Sequence, residues 1–162
     1  MLQGVNSMEK KLNEIYGKIA GTLNETIPED WDKVIMYGEV SEGASEVFFN
    51  YYPVGSKESV YSHNIPDLFN VSEDEYRELL LQLINNLEEL QDIFIQNGQE
   101  PWTNLTFILE SNGKFKIDYD YTDLSEASPR KQHWIWNYKY LGIMPENEKG
   151  KKVVEEYIKS LV

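Results

Sequence analysis

Four carboxylates in the C-terminal half of this chain have residue types and spacing that could support chemistry. Asp118 and Asp120 lie two residues apart, and Asp123 and Glu126 follow shortly after them. Carboxylate oxygens are the ligands that magnesium and calcium prefer, and two neighbouring carboxyl groups can share the roles of acid and base. One hypothesis is therefore a metal-assisted hydrolase, or an enzyme acting on a small ligand, that uses Asp118, Asp120 and Asp123.

The residues around these carboxylates favour other hypotheses. Lys114, Lys116, Asp118 and Asp120 alternate with apolar residues and so share one face of a predicted strand, where a solvated face of mixed charge is the commoner outcome. The whole chain has 28 Asp and Glu against 15 Lys and Arg, a formal net charge of -13. A field of that sign repels nucleic acid and attracts basic surfaces. The carboxylates are therefore also candidates for an acidic patch that binds a basic protein.

The sequence contains no established signature of catalysis or cofactor binding. The two histidines, His63 and His133, are too far apart for local metal-ligand spacing, and there are no cysteines. The chain also has no glycine-rich phosphate loop, dinucleotide fingerprint or nucleophile elbow. We therefore predict no enzyme activity and no catalytic, metal-binding or cofactor-binding residues.

The start of the chain and its apolar stretches predict where the protein is located. The N-terminal residues lack a basic start followed by a continuous apolar stretch, and no later window has the length of a membrane span. The absence of cysteine fits a reducing compartment. These features predict a cytoplasmic protein whose partners include neither membranes nor nucleic acid.

Aromatic residues make up 13% of the chain, which is too many for a disordered acidic segment. Most fall in predicted strands and are expected in the core: Tyr37, Phe49, Tyr51, Trp102, Phe107, Phe115 and Tyr119. The segment 133–140 is different, because its aromatic side chains cannot all point inward from one element. Either this segment covers a sheet edge, or some of its rings are exposed, with Trp134 and Trp136 as anchors for a partner.

Hydrophobic periodicity predicts the elements that position these residues. Helices are predicted at 7–27, at 72–97 and from Pro145, and strands at 34–40, 46–52, 60–63, 104–110 and 114–121. The order α-β-β-β-α-β-β-α predicts an α+β fold, in which a five-stranded, mostly antiparallel sheet carries helices on one face. We expect one domain over residues 8–162, preceded at 1–7 by a flexible or artificially added N-terminus.

Six short segments, in order along almost the whole chain, carry a family resemblance. They are IPEDW at 27–31, EVSEG at 39–43, YSHNIP at 61–66, GQEPWT at 98–103, GKFKIDY at 113–119 and YKYLG at 138–142. From about Met8 to its C-terminus, the chain resembles the YezG-like family of bacterial antitoxin or immunity proteins, which includes the staphylococcal EsaG-type proteins. Asn64 departs from the pattern, because an acidic residue is expected there.

The resemblance implies a single YezG-like immunity domain over residues 8–162 and no catalytic residues. It implies a cytoplasmic antitoxin that binds and neutralises the nuclease domain of a secreted polymorphic toxin. A nuclease is basic where it grips phosphate, so an acidic inhibitor can cover that surface. An acidic DNA mimic that regulates another DNA-binding protein is an alternative with the same electrostatics. The predicted contact residues are Asp118, Asp120, Asp123, Glu126, Glu42, Glu46, Trp134 and Trp136.

Overall fold

The computed structural model describes residues 2–162, with side chains from Ser7 onward. The chain divides into two compact units, one that ends at Thr122 and one that comprises Asp123–Val162. The expectation of a single domain over residues 8–162 stays a prediction. The expectation for residues 1–7 falls on Met1, which lies outside the described residues, and on side chains that are mostly not described, so it also stays a prediction.

The first unit is a five-stranded sheet accompanied by helices. Its elements are α1 (Leu2–Thr26), β1 (Trp31–Ser41), β2 (Ala44–Pro53), β3 (Val60–Tyr61), a short 3-10 helix (Ser62–Asn64), α2 (Ile65–Phe69), α3 (Glu73–Gln96), β4 (Asn104–Glu110) and β5 (Phe115–Asp120). The strand order is β3-β2-β1-β4-β5, and every neighbouring pair is antiparallel. These elements confirm the predicted α+β class and the five-stranded sheet.

The core of the first unit lies between α1, α3 and one face of the sheet. Buried side chains recur at helical spacing on the helices and at alternate positions on the strands. They include Ile15, Ile19, Leu23, Leu83, Leu87 and Leu90 from the helices, and Val34, Met36, Phe49, Tyr51, Leu105 and Phe107 from the strands. Burying one such side chain contributes about 1.5–3 kcal/mol. Among the aromatic residues expected in the core, Phe115 is 46% exposed, because β5 is an outer strand.

Local signals fix the ends of α3 and the turns of two hairpins. Ser72 accepts a hydrogen bond from the N–H of Glu75 at 3.4 Å, which caps the start of α3, and Gly98 follows its end with a φ of 70°. Gly43 (φ 76°) and Gly113 (φ 91°) supply the left-handed residues of the β1–β2 and β4–β5 turns. Ser72 therefore caps the start of α3, and Gly43 and Gly113 allow the two tight hairpin turns.

The second unit contains two helices and a π-helical turn. The helix α4 spans Pro129–Trp136, the π-helical turn spans Asn137–Leu141, and the helix α5 spans Glu148–Ser160. Ser128 caps α4 by accepting a hydrogen bond from the N–H of Lys131 at 3.4 Å. The aromatic segment 133–140 is therefore helical. None of the helices in residues 2–162 is both long enough and apolar enough to cross a membrane.

The helices α2 and α4 are absent from the predicted order of elements, and several element ends also differ from the prediction. The strand β3 has two residues, whereas the pattern predicts 60–63, because the chain enters a 3-10 helix and then α2, where Pro66 fixes φ in the first turn. The helix α5 begins at Glu148 and not at Pro145. Its start is set by Asn147, whose side chain accepts the N–H of Gly150 at 2.6 Å.

Candidate functional site

A row of polar side chains crosses the sheet near the β1–β2 turn. Glu46 of β2 is paired with Glu39 of β1, Glu39 with Asn104 of β4, and Asn104 with Asp120 of β5. Residues that lie opposite each other on neighbouring antiparallel strands point to the same face. Val40, the residue after Glu39, belongs to the core, so the row points to the other face of the sheet. We call Glu39, Glu46 and Asp120 the carboxylate row.

Two like charges lie directly opposite each other in the carboxylate row. In residues 7–162, neither Glu39 nor Glu46 forms an ion pair with Lys or Arg. Burial, and then the charge of Glu39, raise the pKa of Glu46 above its ordinary value of 4.5. Like charges at directly opposed positions destabilise a sheet. The opposed pair of Glu39 and Glu46 therefore lowers the stability of the folded chain.

Tyr37 connects the carboxylate row to the next row of the sheet. Its hydroxyl donates a hydrogen bond to Oε1 of Glu39 at 2.7 Å. Burial, the bond to Glu39 and the charges of Glu39, Glu46 and Asp120 together raise the pKa of Tyr37 well above its usual range. The tyrosine therefore stays protonated and holds the Glu39 carboxylate in place.

The two aspartates of β5 contact neighbouring side chains. Asp120 accepts hydrogen bonds from Nδ2 of Asn104 at 2.9 Å and from Oγ1 of Thr122 at 3.0 Å. Asp118 forms an ion pair with Lys116 at 3.5 Å. In the described part of the chain, no three or more His, Asp or Glu side chains are placed to hold a metal ion. Asp118 and Asp120 therefore serve here as acceptors for their neighbours on the sheet surface.

A second group of carboxylates lines a groove beside the β1–β2 turn. Glu42 lies in that turn, and exposed positions of α3 contribute Glu88, Glu89 and Asp92. The groove has a volume of about 570 Å³. Lys18 of α1 pairs with Glu89 across 3.6 Å. We call Glu42, Glu88, Glu89 and Asp92 the acidic groove.

The net charge is divided very unevenly between the two units. Residues 1–122 contain 22 Asp and Glu against 8 Lys and Arg, a formal charge of -14. Residues 123–162 contain 6 Asp and Glu against 7 Lys and Arg, a formal charge of +1. The first unit therefore carries the negative charge of the whole chain.

Four of the predicted contact residues belong to the second unit. Oδ1 of Asp123 accepts the N–H of Ser125 at 2.9 Å, and the hydrogen bonds to Ser125 lower the pKa of Asp123. Glu126 is exposed, and Trp134 is partly buried. Trp136 is only 6% exposed, so it offers little surface to a partner.

Sequence reasoning identifies only part of the acidic surface of the first unit. Of the predicted residues, Glu46, Asp118 and Asp120 share one sheet face, and Glu42 lies in the acidic groove. It misses Glu39, although a two-residue turn at 42–43 places residues 39 and 46 opposite each other. The predicted contact residues also leave out Glu88, Glu89 and Asp92 of α3. Their proximity to the turn is a tertiary feature.

The two histidines lie in different units. In the first unit, Nδ1 of His63 and the hydroxyl of Tyr76 share a hydrogen bond of 2.8 Å beside a cavity of about 240 Å³. Burial lowers the pKa of His63, and burial is the largest of the influences that raise the pKa of Tyr76 to about 12. His133 lies in α4. The contact to Tyr76 makes His63 a link between the 3-10 helix and α3.

Comparison with known proteins gives one consistent result. Residues 12–155 match the family model described as "Immunity protein YezG-like". The chain is 43% identical over 152 residues to the immunity protein YezG of Bacillus spizizenii, with 93% of this chain and 94% of that protein covered. It is 37% identical to the immunity protein YezG of Bacillus subtilis over 149 residues, with 91% and 99% covered. It is 36% identical over 160 residues to the type VII secretion system protein EsaG of Staphylococcus aureus, with 96% and 98% covered.

Proposed function

This chain belongs to the YezG-like family of immunity proteins, and from that premise we propose that it is a cytoplasmic antitoxin that binds the nuclease domain of a secreted toxin. In this proposal the protein acts by occupying its target, and it transforms no molecule itself. Bound stoichiometrically, it protects the cell that produces the toxin.

One observation carries the proposal: carboxylates of the first unit lie on both sides of the β1–β2 hairpin, with the carboxylate row on one sheet face and the acidic groove on the side of α3. They are Glu39, Glu42 and Glu46 from the hairpin, Glu88, Glu89 and Asp92 from α3, and Asp120 from β5. This unit has a formal charge of -14, so the turn lies within the acidic part of the chain. A cationic protein surface is the partner that matches it.

The chemistry of a nuclease supplies such a surface. A protein that grips nucleic acid neutralises phosphates with Lys and Arg. Carboxylates can engage the same Lys and Arg side chains with charge-assisted hydrogen bonds, and then exclude the nucleic acid. Opposite fields also steer the two proteins together and raise the association rate. An acidic surface around the β1–β2 turn is therefore suited to fast inhibition by occupancy.

The unfavourable arrangement of Glu39 and Glu46 supports a binding role. These opposed like charges have no cation paired with them among residues 7–162, and they raise the energy of the folded chain. A partner cation placed between them would relieve that repulsion. A binding surface is a place where a chain retains features that cost stability.

The predicted contact residues differ in how well their positions support this proposal. Glu42, Glu46 and Asp120 belong to the surface around the turn, and Asp118 lies one row away. Asp123, Glu126 and Trp134 are contributions of the second unit, which is nearly neutral in formal charge. Because Trp136 is buried, we favour Trp134 over Trp136 as an aromatic anchor.

Titration of the toxin's nuclease domain tests the proposal directly. The gene next to that of this chain is the first place to seek the toxin. We expect DNA cleavage by the isolated nuclease domain to stop at one equivalent of this protein, with no further change on longer incubation. A nuclease domain that stays fully active with excess protein at low salt would rule the proposal out.

A pair of variants on one helix tests the surface. Glu88→Lys with Asp92→Lys reverses charges in the acidic groove, whereas Asp74→Lys with Glu78→Lys makes the same charge change nearer the start of α3. Corresponding residues of the two pairs are 14 positions apart, which is about 21 Å along the helix axis. We expect the groove variant to associate with the nuclease domain at least about tenfold more slowly, and the control to slow far less. Equal slowing in both variants would show that only net charge matters.

A further inference from the structure

The strand β5 is one of the two outer strands of the sheet, and it is the longer one. It has six residues, whereas β3 at the other edge has two. Its pairing with β4 runs without a register shift from Asp120 to Phe115. A regular outer strand presents a row of backbone donors and acceptors to which another strand can be added.

The backbone groups of β5 that point away from β4 belong to three residues. The carbonyl of Lys114 accepts the N–H of Glu110 at 2.8 Å, and that of Asp120 accepts the N–H of Thr103 at 2.9 Å, so even-numbered residues face β4. Because backbone groups alternate along a strand, those of Phe115, Ile117 and Tyr119 face outward. In the described part of the chain, no strand pairs with that side of β5.

The side chains of β5 are complementary to those of a second β5 that runs in the opposite direction. If Ile117 lies opposite Ile117 of a second copy, Lys116 lies opposite Asp118, and Lys114 lies opposite Asp120. In this register Phe115, Ile117 and Tyr119 each donate an N–H and accept at a carbonyl across the new ladder. We propose that this chain forms a symmetric homodimer by antiparallel pairing of β5 with β5 of a second copy.

Charge selects this register over its neighbours. A shift by two residues in one direction places Lys116 opposite Lys116, and a shift in the other direction places Asp118 opposite Asp118. A shift by one residue places the core-facing side chains of one copy opposite the charged side chains of the other. Only the register centred on Ile117 places both lysines opposite aspartates, and opposite charges at directly opposed positions stabilise a strand pair.

The side chains that this pairing uses are exposed or partly exposed. The side chain of Lys116 is 73% exposed and that of Asp118 is 37% exposed. Phe115 is 46% exposed and lies opposite Tyr119 of the second copy, so the new ladder removes aromatic surface from water. The pairing joins two five-stranded sheets into one continuous sheet.

Two charge variants and their mixture test the proposal without any toxin. Lys116→Asp places aspartate opposite aspartate, and Asp118→Lys places lysine opposite lysine. We expect sedimentation at about 0.15 M salt, where long-range repulsion is screened, to show a wild-type dimer and at least tenfold weaker self-association for each variant. Mixed in equal amounts, the two variants pair Asp with Lys at every charged position of 116 and 118, so a heterodimer should form. Circular dichroism of each variant is the control for correct folding.

A single cysteine tests the register, since the natural chain has none. Cα atoms of a hydrogen-bonded antiparallel pair lie about 5.5 Å apart, which is within the range that a disulfide bridges. We expect Ile117→Cys to form a disulfide-linked dimer under mild oxidation much faster than Lys114→Cys, whose counterpart in the second copy is Asp120.

Several outcomes would overturn the dimer. A wild-type chain that stays monomeric up to about 1 mM has no association of useful strength. Variants that self-associate as well as the wild type, or a mixture that stays monomeric, would place any dimer elsewhere. If the chain alone is monomeric and Lys116→Asp weakens only toxin binding, the edge of β5 binds the toxin and not a second copy. None of these results changes whether the protein inhibits a nuclease.

Discussion

At Glu39 and Glu46, stable folding and the proposed binding of a cationic partner have opposite requirements. Each is held by its strand at a position directly opposite the other, and Glu39 accepts the hydroxyl of Tyr37 at 2.7 Å. Folding alone gains nothing from this arrangement, because the two negative charges repel each other. A cation supplied by a partner would gain from both. Removing one of the two charges should therefore stabilise the folded chain and weaken the binding of a cationic partner.

The variant Glu46→Gln should make the protein more stable at neutral pH. Burial, and then the charge of neighbouring Glu39, raise the pKa of Glu46, so the ionised form is disfavoured in the folded state. Glutamine resembles the protonated side chain. We expect the free energy of unfolding at pH 7 to rise by about 0.2–1 kcal/mol, the usual size of an interaction between directly opposed side chains on neighbouring strands. Urea denaturation of both proteins measures the difference.

The pH dependence shows whether ionisation of Glu46 is the cause of the difference in stability. Because the folded pKa of Glu46 is raised, the wild-type side chain favours folding only below its ordinary value of 4.5, and that contribution is lost as the pH rises through the folded pKa. The advantage of Glu46→Gln should therefore be full at pH 7 and vanish near pH 4. Glu78→Gln, at an exposed position of α3, is the matched control. An advantage of equal size at both pH values would show that the charge of Glu46 is not the cause.

At the scale of elements, the close approach of α3 to β1 depends on a glycine. A Cβ atom added at Gly38 would lie 2.7 Å from Cδ1 and 3.0 Å from Cδ2 of Leu87. Leu87 is only 1% exposed, so its side chain has little room to move. The absence of a side chain at Gly38 therefore lets the helix lie directly on the strand.

Gly38→Ala should destabilise the protein by about 1–3 kcal/mol, because it overpacks the core. In combination with Leu87→Ala, the loss should be smaller than the sum of the two single losses by at least about 1 kcal/mol, since the second change removes the clash. Thermal and urea denaturation measure these values. Gly17→Ala in α1 is the matched control, because an added Cβ there meets nothing within 4 Å. A Gly38→Ala variant as stable as Gly17→Ala would disprove the close packing.

The elements that sequence predicts correctly are those with local signals. Ser72 and Glu75 start α3, Gly98 follows its end, and glycine turns join β1 to β2 and β4 to β5. The length of β3 depends instead on the turn into α2, and no local residue signals where the strand ends. The same holds for the π-helical turn at Asn137–Leu141, which follows α4 without a proline or glycine between them.

The candidate surface is less predictable than the fold because it depends on register between distant strands. The pairing of Glu39 with Glu46 follows from one short turn. The pairing of Glu39 with Asn104 joins strands that are separated in sequence by α3, and no periodicity reveals it. Asp120 joins the row only through that pairing. Burial of Trp136 is likewise invisible in an aromatic segment whose residue types fit both a core and an interface.

For the molecule as a whole, the position of the charge matters more than its total. The first unit has a formal charge of -14 and the second of +1, so the field of the chain originates from residues 1–122. A field concentrated on one unit orients an approaching cationic protein toward that unit before contact. We therefore expect electrostatics to control how fast the toxin is bound, and contacts formed after docking to control how slowly it leaves.

Salt should separate these two contributions. Raising the ionic strength from about 0.01 M to 1 M shortens the screening length from about 30 Å to 3 Å. We expect the association rate with the nuclease domain to fall at least about tenfold over that range, and the dissociation rate to change much less. The variant Glu88→Lys with Asp92→Lys should show a shallower dependence than the variant Asp74→Lys with Glu78→Lys, although both alter the net charge equally. Stopped-flow mixing gives the association rate, and displacement by excess unlabelled protein gives the dissociation rate. An association rate that does not respond to salt would mean that the acidity of the first unit serves something other than capture of a basic partner.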